Sequence, residues 1–179
     1  MTSSSSPRPG NLYAVACIAR LYAVATTLPA AELPALFDDL VRCETRLYNA
    51  LGETLRAEHG IVTSQLELLR WLRDHPGSRV GDAATAFAAG VGAMSKGTDR
   101  LEARGLVSRQ PNPADGRSSL ISLTARGAAL VAAAERTFDA RLAELVGTVL
   151  SAEQVRSAGA ALGVLRRSLE AARVGLPVG

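Results

Sequence analysis

The stretch Leu101–Gly127, LEARGLVSRQPNPADGRSSLISLTARG, decides how this chain folds. Leu101 to Arg104 completes a helical pattern, and Gly105 stops it, because glycine accepts the left-handed backbone common at helix C-termini. Leu106 to Gln110 reads as a short strand. Pro111-Asn-Pro-Ala-Asp-Gly116 continues neither element, since two prolines remove backbone donors and Asp-Gly favours a tight turn. Arg117 is thereby placed at or near a hairpin tip. Ser119, Ile121 and Leu123 alternate with Leu120 and Ser122, a period of two that favours a second strand. Thr124 is a good N-cap for an alanine-rich helix starting near Ala125. A two-stranded hairpin is marginal alone and has to lean on helices, so this is a wing. A cationic tip on a wing suits the DNA minor groove, where narrow A·T-rich segments attract arginine.

On the N-terminal side the chain reads as helices. One runs from about Val91 to Arg104 and a shorter one from about Asp82 to Ala88, with Asp82 as cap, Ala84 and Phe87 as inward anchors, and Ala89-Gly90 as the turn between them. Two helices joined by a short glycine-containing turn form the helix-turn-helix pattern. Met94, Thr98 and Leu101 fall on one face and pack inward. Ser95, Lys96, Asp99 and Arg100 fall on the other, with Lys96, Arg100 and Arg104 spaced four apart along a ridge. Such a ridge alone reads as a solvated helix face; beside a cationic wing it reads as a surface for base edges and phosphates.

Before these, Ser64-Gln-Leu-Glu67 supplies a capping box for a helix to about Asp74 that buries Leu66, Leu68, Leu69, Trp71 and Leu72 and ends at His75-Pro76-Gly77. Leu33 to Leu55 carries an apolar stripe of about six turns. That exceeds what a small core needs, and a helix from a second subunit is the natural use of the surplus. After the wing, one long helix is expected over Ala125–Leu150. A second starts at the Ser151-Ala-Glu-Gln154 box and runs to about Ala172, with Val155, Ala158, Leu162, Leu165 and Leu169 on one stripe.

The composition, 47% hydrophobic and 21% charged over 179 residues, is that of a globular chain. A net charge of +3 permits nucleic-acid binding without demanding it. Cys17 and Cys43 have no thiol or histidine partner at ligand spacing, so neither a zinc site, a disulfide framework nor any other metal centre is expected. No catalytic constellation and no cofactor motif occurs, which points to a binding protein rather than an enzyme. Met1–Gly10 is Ser/Pro-rich and reads as disordered. Leu12–Leu28 is apolar but split by Arg20. It reads as an extra helix packing on a dimer, as an export signal cleaved near Ala31, or as a leader. A membrane span, needing about 20 apolar residues, is not expected.

Three pieces in order, Leu101-Glu-x-x-Gly105-Leu-Val, Asp115-x-Arg117 and Leu123-Thr124-x-x-Gly127, resemble the signature of the MarR family of winged-helix transcriptional regulators. The resemblance implies a mainly α fold with a small β-hairpin wing: a winged helix-turn-helix between long N- and C-terminal dimerisation helices. The expected division is an extension over 1–31, a dimerisation helix over 32–60, a DNA-binding lobe over 61–124 and C-terminal dimerisation helices over 125–179. It implies a cytoplasmic homodimer on double-stranded DNA, reading a pseudo-palindromic operator through two recognition helices about 34–36 Å apart, most simply as a repressor. The outward face of the recognition helix offers Ser95, Lys96, Asp99 and Arg100, and the resemblance places Arg117 on the wing with Asp115 orienting its guanidinium. Ser64, Arg79, Arg104 and Arg109 are candidates for phosphate contacts. A small aromatic or phenolic effector is expected between dimer helices and lobe, where Arg46, Tyr48, His59, Arg70 and Trp71 are compatible residues. Two other readings remain open: a thiol redox-sensing regulator acting through Cys43, and a non-DNA ligand-binding or accessory dimer on the same scaffold.

Overall fold

The computed structural model describes residues 31–177; the expectations for Met1–Gly10, Cys17 and Leu12–Leu28 lie outside them. The order is α1 (Glu32–His59), α2 (Thr63–Asp74), β1 (Ser78–Arg79), α3 (Val80–Ala86), α4 (Val91–Ala103), β2 (Val107–Pro111), β3 (Ser119–Leu123), α5 (Ala125–Gly147) and α6 (Ala152–Ala171). The fold is mainly helical with one small antiparallel sheet of strand order β1-β3-β2. The chain forms two compact units, residues 1–46 and 47–179, and the boundary falls within α1. In the first unit the described residues are the N-terminal part of α1, with Leu33, Leu36, Phe37, Leu40 and Val41 all exposed, as is Cys43.

In the second unit the core lies between α2, α3, α4, the sheet and the start of α5. Leu68, Leu69, Leu72, Ala83, Leu101, Leu106, Val107, Ile121 and Val131 are buried together, with Trp71, Phe87 and Met94 packed on them. A smaller cluster of Leu55, Ile61, Leu66 and Ala134 joins the end of α1 to α2 and α5. Burying a leucine side chain contributes about 1.5–3 kcal/mol, so these positions hold the lobe as one body.

The wing forms as its sequence requires. Gly105 takes φ +68°, and Leu106 N–H donates to Leu101 O at 3.0 Å, closing α4 in the manner of a glycine C-cap. The Thr124 hydroxyl accepts from Gly127 N–H at 3.0 Å and donates to Gly105 O at 2.7 Å. Gly127 is there for space: a Cβ on it would overlap the backbone carbonyl of Leu106. Ser151 and Gln154 cap α6 reciprocally, at 3.2 and 2.9 Å.

Four local expectations need correction. The α2 box does not use Ser64 and Glu67; helix starts at Thr63, and the Gln65 side chain accepts the Val62 N–H at 3.1 Å, freeing the Thr63 hydroxyl to donate to Tyr48 O. Asp82 is not the cap of α3 but its third residue, accepting from Arg79 N–H at 2.9 Å. The turn between α3 and α4 is made by Ala88, whose φ is +47°, with Ala89 N–H on Ala84 O at 2.9 Å; Gly90 is extended and caps α4. Pro111 continues β2, paired with Ser119, which a proline can do on an edge strand.

Candidate nucleic-acid interface

Helix α4 is anchored by Thr98 and Leu101, both fully buried, with the Thr98 hydroxyl on Met94 O. Helical spacing then turns Lys96, Asp99 and Arg100 to solvent and leaves Ser95 half-buried. Asp99 does not stand free. Its Oδ1 lies 2.7 Å from Arg109 Nη2 on β2, and Glu102 Oε2 lies 3.6 Å from Arg109 Nη1. The short Asp99 contact is an ion pair without hydrogen-bond alignment, since Arg109 Nε and Nη2 are buried with no aligned partner. The pair ties reader helix to wing strand.

The wing tip, residues 112–118, is two successive turns, with Asp115 N–H on Asn112 O and Ser118 N–H on Asp115 O. Asp115 Oδ1 accepts the Arg117 backbone N–H at 3.0 Å. Asp115 therefore shapes the turn that carries Arg117 rather than holding its guanidinium, because a short aspartate two residues upstream reaches the main chain first. Arg117 is exposed.

A groove of about 590 Å³ runs between wing and α3, lined by Arg79, Ser95, Arg109, Arg117, Ser118 and Ser119 among others. Arg79 reaches Asp82 with Nη2–Oδ1 3.0 Å and Nε–Oδ2 3.2 Å, and these side-chain bonds, followed by the Arg79 N–H, hold the Asp82 carboxyl below its ordinary range. Arg104 Nη1 donates to Gly60 O at 3.0 Å. Ser64 is exposed in the first turn of α2. Three arginines from β1, β2 and the wing tip thus share one concave surface with Ser95 of α4. Such an arrangement can receive a phosphate through charge-assisted hydrogen bonds.

The decisive likeness is of sequence: residues 61–119 match the model of the MarR family. These residues belong to the MarR family. Among solved structures, a mutant MarR from E. coli complexed with operator DNA is 25% identical with TM-score 0.67, over 75% of this chain and 95% of that one. A MarR family transcriptional regulator from Streptomyces coelicolor in complex with DNA gives TM-score 0.72 at 23% identity, over 84% and 95%. The transcriptional regulator BldR from Sulfolobus solfataricus gives 0.68 at 18%, over 78% and 99%. No curated protein matches the chain.

Four of the five residues expected at an effector crevice, all but Arg46, lie in the second unit. Tyr48 lines a groove of about 430 Å³ with Phe87, Met94, Arg100 and Leu101. His59 Nε2 lies 2.8 Å from the Thr137 hydroxyl. Arg70 donates to Glu135 and stands 4.5 Å from the Phe138 ring centroid. Trp71 stacks on His75 at 4.6 Å and meets Phe87 edge-on. Arg46 is exposed in the first unit. Sequence reasoning misses the Asp99–Arg109 tie, which joins two elements across the lobe; only the opposite charges on adjoining α4 and β2 signal it. Among the described residues no group of His, Cys, Asp and Glu could hold a metal, and no helix is long and apolar enough to cross a membrane.

Proposed function

We propose that the chain is a homodimeric, sequence-specific DNA-binding transcriptional regulator, a ligand-responsive repressor on a pseudo-palindromic operator. The observation that carries this reading is that Arg79, Arg109 and Arg117 line one groove with Ser95 of α4, the helix whose Lys96 and Arg100 are exposed. Ser95, Lys96 and Arg100 read base edges in the major groove. Arg117 enters the flanking minor groove, and Arg79, Arg104 and Ser64 take phosphates. Asp99 has a different part, holding Arg109 and with it the wing at a fixed distance from the reader helix. The two similar proteins crystallised with DNA support the same assignment.

The apolar stripe of α6, with Leu162, Leu165 and Leu169 exposed, supplies the surface for a second copy. The groove beside Tyr48 combines apolar Val62, Leu68, Phe87, Met94 and Leu101 with polar Ser64, Gln65, Glu67 and Arg100, and suits a small aromatic or phenolic ligand. An occupant there would compete with DNA for Arg100.

Fluorescence anisotropy on the chain's own upstream duplex and on a scrambled duplex tests the reading. Wild type is expected to prefer the upstream duplex by at least about a thousandfold. Arg117→Ala is expected to weaken specific binding and lower the salt slope by about one. Full affinity in Arg117→Ala removes the wing contact, and equal binding to both duplexes removes sequence-specific recognition of that site.

A further inference from the structure

Where α2 meets α5, two arginines converge on one carboxylate. Arg70 Nε donates to Glu135 Oε1 at 3.0 Å, and Arg73 Nη1 donates to Oε1 at 2.8 Å and Oε2 at 2.9 Å. Asp139 Oδ1 stands 3.9 Å from Arg70 Nη2, and Phe138 lies under the same guanidinium. Residues 135, 138 and 139 are one face of α5, and Arg70 and Arg73 are one face of α2. Asp139 and Asp74 supply further carboxylates to Arg70 and Arg73 respectively, and Glu135 is the one that bonds both arginines and so joins them.

The position of this fork along α5 gives it leverage. The buried residues of α5 are Gly127, Val131 and Ala134, so Glu135 follows the last of them. On another side of α5, the Thr137 hydroxyl donates to Glu58 Oε2 and lies against His59 Nε2, each at 2.8 Å. Helix α2 in turn shares one buried cluster, through Leu68, Leu69 and Leu72, with Leu101 of α4. A rotation of α2 on α5 is therefore carried to the reader helix.

We propose that Glu135 is a positioning residue for DNA recognition, setting through Arg70 and Arg73 the angle at which the helix-turn-helix lobe is carried on α5. This rests on the DNA-binding dimer reading above. In a two-fold dimer that angle fixes the separation of the two reader helices, so it selects half-site spacing rather than base identity.

The test begins with duplexes that the full-length wild-type protein enriches from a random pool. Binding of wild type, Glu135→Gln and Glu135→Asp is then measured on the enriched duplex and on versions with the half-sites one or two base pairs closer or further apart. Glu135→Gln is expected to bind the parent duplex about 10-fold more weakly and to prefer an altered spacing, and Glu135→Asp, which keeps a carboxylate for the two arginines, to restore the parent preference. An unchanged spacing preference in Glu135→Gln, whether affinity is kept or falls equally on every duplex, overturns the positioning role while leaving the DNA reading standing. Failure of wild type to enrich any sequence overturns both.

Discussion

The lobe from α2 to β3 and the helix α6 draw on the same aliphatic residues and treat them in opposite ways. Leu66, Leu69 and Leu101 are fully buried, whereas Leu162, Leu165 and Leu169 remain 42–46% exposed and α6 has no buried residue. Both segments carry apolar periodicity, so the difference does not lie in patterning. It lies in what each stripe finds among the described residues: α2 shares a core with α4, α5 and the sheet, while the α6 stripe stays exposed. An amphipathic helix whose stripe stays exposed keeps an apolar surface open to another body, which is the use proposed for α6 above.

The largest expected effects break this comparison directly. Leu69→Ala should cost about 3 kcal/mol, seen as a lower urea midpoint that does not depend on protein concentration. Leu165→Ala should leave that midpoint nearly unchanged at high dilution and increase the concentration dependence of the thermal midpoint, since its contacts form only on association. Equal losses from both changes at all concentrations would show that α6 is stabilised within the monomer.

A smaller effect probes the lobe's own local conflict. Ala88 holds a left-handed backbone that glycine adopts freely, and Ala88→Gly should raise stability by about 0.5–1 kcal/mol in equilibrium unfolding. No gain would mean that the turn relaxes at little cost.

The smallest effect is in acid. Desolvation pushes the Glu135 carboxyl upward, yet hydrogen bonds and charge from Arg73, then Arg70, together bring it below its ordinary 4.5. A depressed folded value contributes stability that is present above the unfolded value and lost as pH falls through the folded one. The stability difference between wild type and Glu135→Gln should therefore shrink from pH 6 to pH 3, by about 1 kcal/mol or less for so partly exposed a fork. A difference constant across that range would leave the fork without an electrostatic contribution.

Features set by local chemistry are legible in the amino-acid sequence itself. Gly105 ends a helix, Thr124 and Ser151 cap two others, and Thr98 and Leu101 face inward, because each depends on residues within a turn or two. The hairpin follows from Pro, Asp and Gly between alternating strands, and the family of residues 61–119 with it. What the sequence hides depends on contacts made across the fold. Strand β1, two residues long, carries no periodicity and exists because Ser78 and Arg79 pair with Ile121 and Leu120. The Asp99–Arg109 pair and the Glu135 fork join residues far apart in the chain, and their charges look like ordinary solvated positions. Asp115 reads as a partner for the Arg117 side chain, yet the main chain lies closer. Among the effector candidates, Arg70 and Trp71 have compatible chemistry, yet Arg70 is engaged by Glu135 and Trp71 stacks on His75.

The crossing of α5 over the start of β2 has a consequence for inheritance. Because the obstruction at Gly127 arises at the Cβ position, it is indifferent to the size, charge or polarity of whatever lies beyond. Every missense codon at this position presents the same atom to the Leu106 carbonyl, so a library that samples all substitutions there should return glycine alone, while Gly116, open at the wing tip, meets no such obstruction.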